Sequence, residues 1–199
     1  MDKKGRAFRR VFRGRHSVVY VSGDKAIKIF KEELSYNFWK EVAFLSYLQP
    51  LNFVPKIYSI CPDNLSITMK YIDGENLGKL IEKRNVDTEM LIKCLDICRT
   101  LDRLMIQKEE MNMPEKHIIF KKSKPYFIDF ERGTITPKPA NVSQFTAYIM
   151  RKLKINFKEI EDLAKNYKSK FDDESYEKLK LNLTRIIEDW TKKSKKQRR

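Results

Sequence analysis

The stretch Lys124-Pro125-Tyr126-Phe127-Ile128-Asp129-Phe130-Glu131-Arg132-Gly133 places a carboxylate at the end of a short apolar run. The residues Tyr126 to Ile128 predict a β-strand, and Gly133 ends the pattern. A carboxylate at the mouth of a buried strand is costly unless a cation or hydrogen-bond donors meet it. Asp129 is therefore either a solvated turn residue or part of a charged site. A cation–carboxylate pair about a hundred residues upstream favours the charged site.

That pair is predicted from two charges in apolar surroundings. In the predicted strand Lys25 to Phe30, alternation leaves Lys28 between two apolar residues on one face. In the predicted helix Ser35 to Leu48, Glu41 falls on the apolar stripe. A lysine in such a place usually extends to solvent, but Glu41 needs a cation and Lys28 is the nearest candidate in sequence. We therefore predict that the two residues pair at the edge of a cleft.

The rest of the chain divides into a strand-rich first part and a helical second part. Pattern and turn signals predict strands at 18–21, 25–30, 56–60, 65–71, 118–120 and 126–128, and helices at 35–48, 76–83, 87–105, 146–152, 157–170 and 173–192. Residues 137–145 are predicted to be extended. Composition changes at Gly74, which predicts a first lobe at 1–73, a helical second lobe at 74–191 and a disordered basic tail at 192–199.

Composition limits the class of protein. The 199 residues can bury a substantial core, and no apolar run is long enough for a transmembrane helix. The N-terminus lacks an apolar signal core, and Cys61, Cys94 and Cys98 lack metal-ligand spacing, so a reducing cytoplasm is expected. The formal net charge of +15 predicts a polyanionic partner. The charge is partly concentrated at residues 6–10 and 192–199, and the second cluster is a candidate RNA-binding arm.

The order of these motifs resembles the protein kinase superfamily. A small-residue loop precedes a V-V-Y strand, an A-I-K strand, a helix with an inward Glu, an M-K-Y strand, a helical half and the I-D-F motif. Within the superfamily it is similar to small atypical archaeal kinases described as predicted serine/threonine kinases, which are related to the RIO kinases and to the small kinase of the KEOPS tRNA-modification complex. The similarity covers about residues 8–145. It implies an α+β fold with two lobes: an antiparallel sheet with one helix, and a shortened helical C-lobe.

The resemblance assigns roles to individual residues. Lys28 would bind the α- and β-phosphates of ATP with Glu41 as its ion-pair partner, and Asp129 would hold Mg²⁺. Glu131 stands where the family has glycine. The remaining nucleotide-binding positions are Gly14, Ser17 and Val19 in the glycine-rich region, Ala26 in the lysine strand, Met69 behind the adenine, and Lys70, Tyr71 and Ile72 in the hinge.

The catalytic loop departs from the family pattern, since no Asp and Asn fit the H-x-D and Asn positions together. One alignment places Glu110 at the base and Glu115 at the Asn position; another places Asn112 at the base and His117 at the Asn position. The E-x-x-x-P-x-K-H arrangement resembles the archaeal group and favours Glu110 as the group facing the acceptor. Lys116 or His117 would contact phosphates, and His117 could also contact the metal.

Three functions follow. The first is an ATP- and Mg²⁺-dependent phosphotransferase acting on serine or threonine of a protein. The second is a pseudokinase scaffold that binds nucleotide and RNA or a protein complex, as the missing H-x-D motif suggests. The third is a small-molecule phosphotransferase, which ranks last because the second half is short for a dedicated substrate pocket.

Overall fold

A computed structural model describes residues 10–154 and 158–196. The chain divides into two compact units. Unit 1 comprises the described residues up to Gly74 together with Ile119–Lys122 and Tyr126–Gly133. Unit 2 comprises Glu75–Ile118, Ser123–Pro125 and the described residues from Thr134 onward.

Unit 1 is built on a five-stranded antiparallel sheet with the strand order β1-β2-β3-β5-β4. The strands are β1 (Arg10–Arg13), β2 (Ser17–Ser22), β3 (Lys25–Phe30), β4 (Ile57–Cys61) and β5 (Ser66–Lys70). The β2–β3 hairpin turns at Gly23, whose φ of +59° suits a residue without a Cβ atom. The predicted hairpin is confirmed, and β1 adds an edge strand.

The alternation of β3 gives Lys28 its position. Ala26, Lys28 and Phe30 are buried on one face, while Ile27 and Ile29 are half-buried on the other. The neighbouring strands pair Lys28 with Val19 of β2 and Ile67 of β5. Lys28 is therefore held in a central strand and is only 6 % exposed.

The helix α1 (Ser35–Leu48) has the predicted bounds and supplies the other half of the unit 1 core. Phe38, Leu45 and Leu48 are fully buried, and Glu41 on the same stripe is 1 % exposed. The ring of Phe38 makes an edge contact with Phe30 of β3 at 5.8 Å between centroids. The apolar stripe of α1 therefore places a carboxylate inside the unit.

The hairpin that carries the Asp129 segment consists of β8 (Ile118–Lys121) and β9 (Lys124–Phe127). The predicted boundary at Gly74 assigns Asp129 to the helical lobe, whereas the structure groups Tyr126–Gly133 with unit 1. The backbone N–H of Phe127 donates to the carbonyl of Phe53 over 2.7 Å, and the two rings pack edge to face. These contacts fix the end of β9 to the sheet unit.

Unit 2 contains five of the six α-helices found in the described residues. They are α2 (Leu77–Glu82), α3 (Thr88–Arg103), α4 (Asn141–Leu153), α5 (Lys158–Lys170) and α6 (Asp173–Lys196), with short strands β6 (Glu75–Asn76), β7 (Ile106–Gln107) and β10 (Thr134–Ile135). Asp87 caps α3, since its carboxylate accepts the N–H of Met90 at 2.8 Å. Its core contains the buried residues Leu91, Cys94, Leu95, Cys98 and Leu101 of α3 and Leu179, Leu183 and Ile187 of α6.

Two helix boundaries differ from the predictions by more than two residues. The helix α4 begins at Asn141, whereas residues 137–145 were predicted to be extended. The cause is tertiary: the carboxylate of Asp102 on α3 accepts the N–H groups of Asn141 and Val142 at 3.0 and 3.3 Å, in the role of an N-cap.

The second difference concerns the basic C-terminal segment. The helix α6 continues to Lys196, so the backbone of residues 192–196 is helical and not a disordered arm. Residues 197–199 of the predicted arm, residues 6–9 of the N-terminal basic cluster and the predicted helix start at Phe157 lie outside the described residues. Within the described ranges, no helix combines the length and apolar character needed to cross a bilayer.

Candidate functional site

The ammonium group of Lys28 lies among three carboxylates, all within unit 1. Its Nζ atom is 2.8 Å from Oδ1 of Asp129, 3.1 Å from Oε2 of Glu131 and 3.6 Å from Oε1 of Glu41. The ring centroid of Phe30 is 4.7 Å from the same nitrogen. The predicted pairing of Lys28 with Glu41 is confirmed, and Asp129 joins it across 101 residues of sequence.

These neighbours determine the charge of Lys28. Burial alone would lower the pKa of its ammonium group, but the charges of Glu41, Asp129 and Glu131 outweigh burial and raise the pKa well above its ordinary value. Lys28 is therefore a permanent cation at physiological pH. A buried cation of this kind can bind an anionic group that displaces or joins its present partners.

Glu41 connects Lys28 with the segment that carries Asp129. One carboxylate oxygen faces Lys28, and the other accepts the backbone N–H of Phe130 over 2.5 Å. The ring of Phe130 is fully buried and lies 6.4 Å from that of Phe44. Glu41 therefore positions the lysine and the residue beside Asp129 together.

Glu131 makes contacts that sequence analysis did not foresee. Its Oε1 atom is 2.5 Å from Nδ1 of His16, and its Oε2 atom faces Lys28. Its backbone carbonyl accepts Nδ2 of Asn37 at 3.4 Å. Glu131 thus links the β1–β2 loop to the lysine. The sequence did carry a signal, since a second acid follows two residues after Asp129. The chain has only two histidines, and one of them is the partner of this acid.

Asp129 has the chemistry expected of a magnesium ligand. Its φ of +66° lies in the left-handed region, which Asp tolerates better than most residues, and its side chain is 33 % exposed. In residues 10–154 and 158–196 no group of three or more His, Cys, Asp or Glu is arranged to hold a metal ion. Mg²⁺ in phosphotransfer sites needs only one or two carboxylates, with phosphate and water oxygens completing the shell. Asp129 fits that mode of binding.

The other predicted nucleotide-binding residues of unit 1 lie along the sheet. Ala26 and Met69 are buried and are paired across β3 and β5, Val19 is half-buried opposite Lys28, and Ile72 is buried. The N–H of Gly14 donates to the carbonyl of Ser17 over 2.9 Å, which makes the β1–β2 connection a tight turn.

Backbone N–H groups of the predicted hinge, Lys70 to Ile72, donate hydrogen bonds to other residues of unit 1. The N–H of Lys70 donates to the carbonyl of Lys56, and that of Tyr71 donates to the carbonyl of Asp24, both over 2.7 Å. Lys70 belongs to β5, so its N–H serves the sheet. An adenine edge would have to be bound by other groups of this segment.

The residues predicted for the catalytic loop lie in unit 2. Glu110 and His117 form a pair, with Oε2 and Nε2 separated by 2.8 Å. Glu110 also has a left-handed φ of +66°, and its carbonyl accepts the N–H of Met113. Lys116 ends a short 3-10 helix, Pro114–Lys116, directly before His117. Glu110 and His117, for which the sequence predicted separate roles, are thus in contact.

A buried polar network precedes that loop. Asn141 donates from Nδ2 to Asp102 and to the carbonyl of Ile106, both at 2.7 Å, and its Oδ1 accepts the N–H of Lys108. The hydroxyl of Tyr167 donates to Asp102 over 2.7 Å. Burial raises the pKa of Asp102, although these hydrogen bonds act in the opposite direction. Asp102 and Asn141 fix the backbone at the start of the loop.

Sequence analysis overlooked this network, although its signal resembled that of Glu41. Asp102 lies one helical turn after Cys98 on the apolar stripe of α3. A carboxylate on a buried stripe requires donors, and these come from residues about 40 to 65 positions later in the chain. The stripe predicted that partners were needed but did not identify them.

The architecture defines the general class. The chain is mixed α/β, with an antiparallel sheet, six helices in the described residues and a buried lysine–glutamate pair, and this arrangement is compatible with a kinase-like fold.

Comparison with known proteins gives partial support. No protein-family model matches the chain. Over 82 residues the chain is 30 % identical to the KEOPS complex subunit Bud32 of Pyrococcus abyssi, a match that covers 39 % of this chain and 35 % of that protein. The chain thus matches about a third of the length of this curated relative. The similarity supports a kinase-like scaffold, while an archaeal origin and a relation to RIO kinases stay predictions.

Proposed function

We propose that this protein is an ATP- and Mg²⁺-dependent phosphotransferase that acts as an atypical serine/threonine protein kinase. The observation that carries the proposal is the convergence of Glu41 and Asp129 on the Nζ atom of Lys28, at 3.6 and 2.8 Å. A lysine that grips phosphates, a helix-borne acid that positions it and an acid that holds the metal are the parts that phosphoryl transfer requires. The partial similarity to the KEOPS subunit agrees with this proposal.

Each residue has a defined task in the proposed reaction. Lys28 binds the α- and β-phosphates, Glu41 orients Lys28, and Asp129 holds Mg²⁺, which supplies charge neutralisation on the phosphates. Glu110 orients the acceptor hydroxyl and accepts its proton late in the transfer. The bond from the γ-phosphorus to the β,γ-bridging oxygen breaks as the bond to the hydroxyl oxygen forms.

The remaining assignments concern binding. Gly14, Ser17 and Val19 with Ala26 would border the nucleotide, Met69 would lie behind the adenine, and the segment of Lys70, Tyr71 and Ile72 would flank its edge. Lys116 and His117 would approach the phosphates. Because His117 contacts Glu110, we propose that the main role of His117 is to orient the Glu110 carboxylate and not to bind a metal.

The test combines nucleotide binding with transfer of labelled phosphate. We expect Mg²⁺-dependent ATP binding and incorporation of label from γ-labelled ATP into the protein itself or into casein. Lys28→Ala and Asp129→Ala should reduce labelling by at least about 100-fold, since each removes a charge that acts on the phosphates. Lys31→Ala and Asp63→Ala change exposed residues of the same types and serve as matched controls. Undiminished labelling in both site variants would reject the proposal.

A second candidate is a nucleotide-binding scaffold without turnover. It is favoured by the contact of Glu131 with Lys28 and by the absence of the H-x-D motif. ATP affinity without label transfer to any acceptor, including purified partner proteins, would support the scaffold. Turnover that Glu110→Gln reduces would support the kinase.

A partner is part of either proposal. The matched relative is named as a subunit of a complex, so we propose that this chain also works with a protein partner. The net charge of +15 suggests RNA as an additional ligand. Replacing the basic residues of 192–199 by Gln should weaken RNA binding and flatten its salt dependence. Equal affinity and equal salt slope in that variant would exclude a role for this segment.

A further inference from the structure

Glu131 gives the lysine site an excess of negative charge. Three carboxylates surround the single ammonium of Lys28, all within 3.6 Å of its Nζ atom. Two of these acids have tasks in the proposed function, since Glu41 also binds the N–H of Phe130 and Asp129 is the acid suited to Mg²⁺. Glu131 has no such task. It forms an ion pair with Lys28, whose ammonium group a phosphate would need to bind.

The position of Glu131 is determined on several sides. Its carboxylate lies between Nδ1 of His16, at 2.5 Å, and Nζ of Lys28, at 3.1 Å, and its side chain is only 8 % exposed. Asn37 holds its backbone carbonyl. Glu131 is therefore a fixed neighbour of Lys28 rather than a surface acid that happens to approach it.

We propose that Glu131 is a specificity-determining residue that makes Lys28 accept a polyphosphate only together with its divalent cation. This proposal rests on the proposed function. A free triphosphate must compete with three carboxylates for one ammonium, and the like charges of the phosphates and these carboxylates repel one another. A divalent cation removes most of that repulsion, so the metal complex binds where the free nucleotide does not.

The test compares ATP affinity in excess EDTA and in excess Mg²⁺ by calorimetry. Glu131→Gln keeps the size of the side chain and one acceptor oxygen but removes its charge. We expect this variant to bind ATP about tenfold more tightly in EDTA, with a change of less than about threefold in Mg²⁺. Glu33→Gln, which removes the charge of an exposed acid before α1, should leave both affinities unchanged.

A second variant separates charge from position. His16→Gln weakens the hold on Glu131 and should raise the affinity in EDTA by a smaller factor. Combining it with Glu131→Gln should add no further gain, because both changes act through the same carboxylate. Additive gains would show that His16 acts separately and would overturn its part in the proposal.

The outcomes discriminate between the hypotheses. Affinity in EDTA that is unchanged or weaker in Glu131→Gln overturns this proposal, including the case in which only the affinity in Mg²⁺ falls, as expected of a direct metal ligand. If the unmodified protein and Glu131→Gln bind ATP equally well in both EDTA and Mg²⁺, this proposal is overturned but the proposed function is retained. No ATP binding by any variant, even with Mg²⁺, rejects the proposed function and this inference with it.

Discussion

The backbone N–H of Phe130 donates a hydrogen bond to Oε2 of Glu41, 89 residues away in sequence. The other oxygen of the same carboxylate faces Lys28. A single helix-borne acid thus satisfies a buried amide next to Asp129 and a buried ammonium. This double role makes Glu41 a determinant of stability as well as of the site.

Replacing Glu41 by Ala should lower the free energy of unfolding by about 3 kcal/mol, because it leaves a buried amide without an acceptor and removes one counter-charge from Lys28. Glu41→Gln retains an acceptor for Phe130 and should cost roughly half as much. Urea unfolding followed by circular dichroism measures both. Glu33→Ala, at an exposed position, should stay within about 0.5 kcal/mol. Equal losses for Ala and Gln at position 41 would contradict the hydrogen-bonding role.

Two glycines of unit 1 should respond differently to alanine. A Cβ atom at Gly74 would lie 2.1 Å from the carbonyl oxygen of Phe120, so Gly74→Ala requires movement of the backbone. A Cβ at Gly23 would meet nothing within 4 Å, and only its left-handed φ opposes substitution. We expect a loss above about 3 kcal/mol for Gly74→Ala and about 1 kcal/mol for Gly23→Ala, measured by urea unfolding. A smaller loss at Gly74 would disprove the close approach of Phe120.

The network at Asp102 should be among the most sensitive positions of unit 2. Asp102→Ala removes the acceptor for Asn141, Val142 and Tyr167 in a fully buried place and should cost about 3 kcal/mol or more. Tyr167→Phe removes one donor and should cost about 1 kcal/mol. Thermal unfolding gives both values. If Asp102→Ala costs no more than Tyr167→Phe, then Asp102 does not cap α4.

The three cysteines should differ in reactivity. Burial raises the pKa of the Cys94 and Cys98 thiols well above the ordinary value, whereas Cys61 is exposed. At pH 8.5 the folded protein should release one equivalent of chromophore from Ellman's reagent, and denaturation should release the other two. Cys61→Ser should abolish the first equivalent and serves as the control.

The same shift predicts a pH dependence of stability. A group whose pKa is raised in the folded state contributes stability that is complete below its unfolded pKa and is lost as pH rises above it. Burial of the two neutral thiols should therefore make the free energy of unfolding fall above about pH 8.5. Urea unfolding at pH 7.5 and 9.5 measures this, and the double variant Cys94→Ala, Cys98→Ala should show a smaller decrease. An identical decrease would assign the effect to other groups.

Local pattern was sufficient for much of the fold. The alternation around Lys28 and the spacing of Phe38, Glu41 and Leu45 are properties of neighbouring residues. Helix α1 could therefore be predicted with its bounds, and the hairpin strands to within one residue at each end. The pairing of Lys28 with Glu41 followed because each charge was misplaced without the other. Helix α4 could not be delimited in this way, since its cap, Asp102, comes from a different helix.

By itself, the sequence determined the elements and which buried charges needed partners, because strand alternation and helical periodicity act over a few residues. Only the tertiary structure decided which residues are the partners of these buried charges. It brought Glu131 to the lysine and His16 to Glu131, joined Glu41 to Phe130 and paired Glu110 with His117. Contacts between distant residues depend on how the elements pack, and one chain's local pattern does not encode that packing in a readable form.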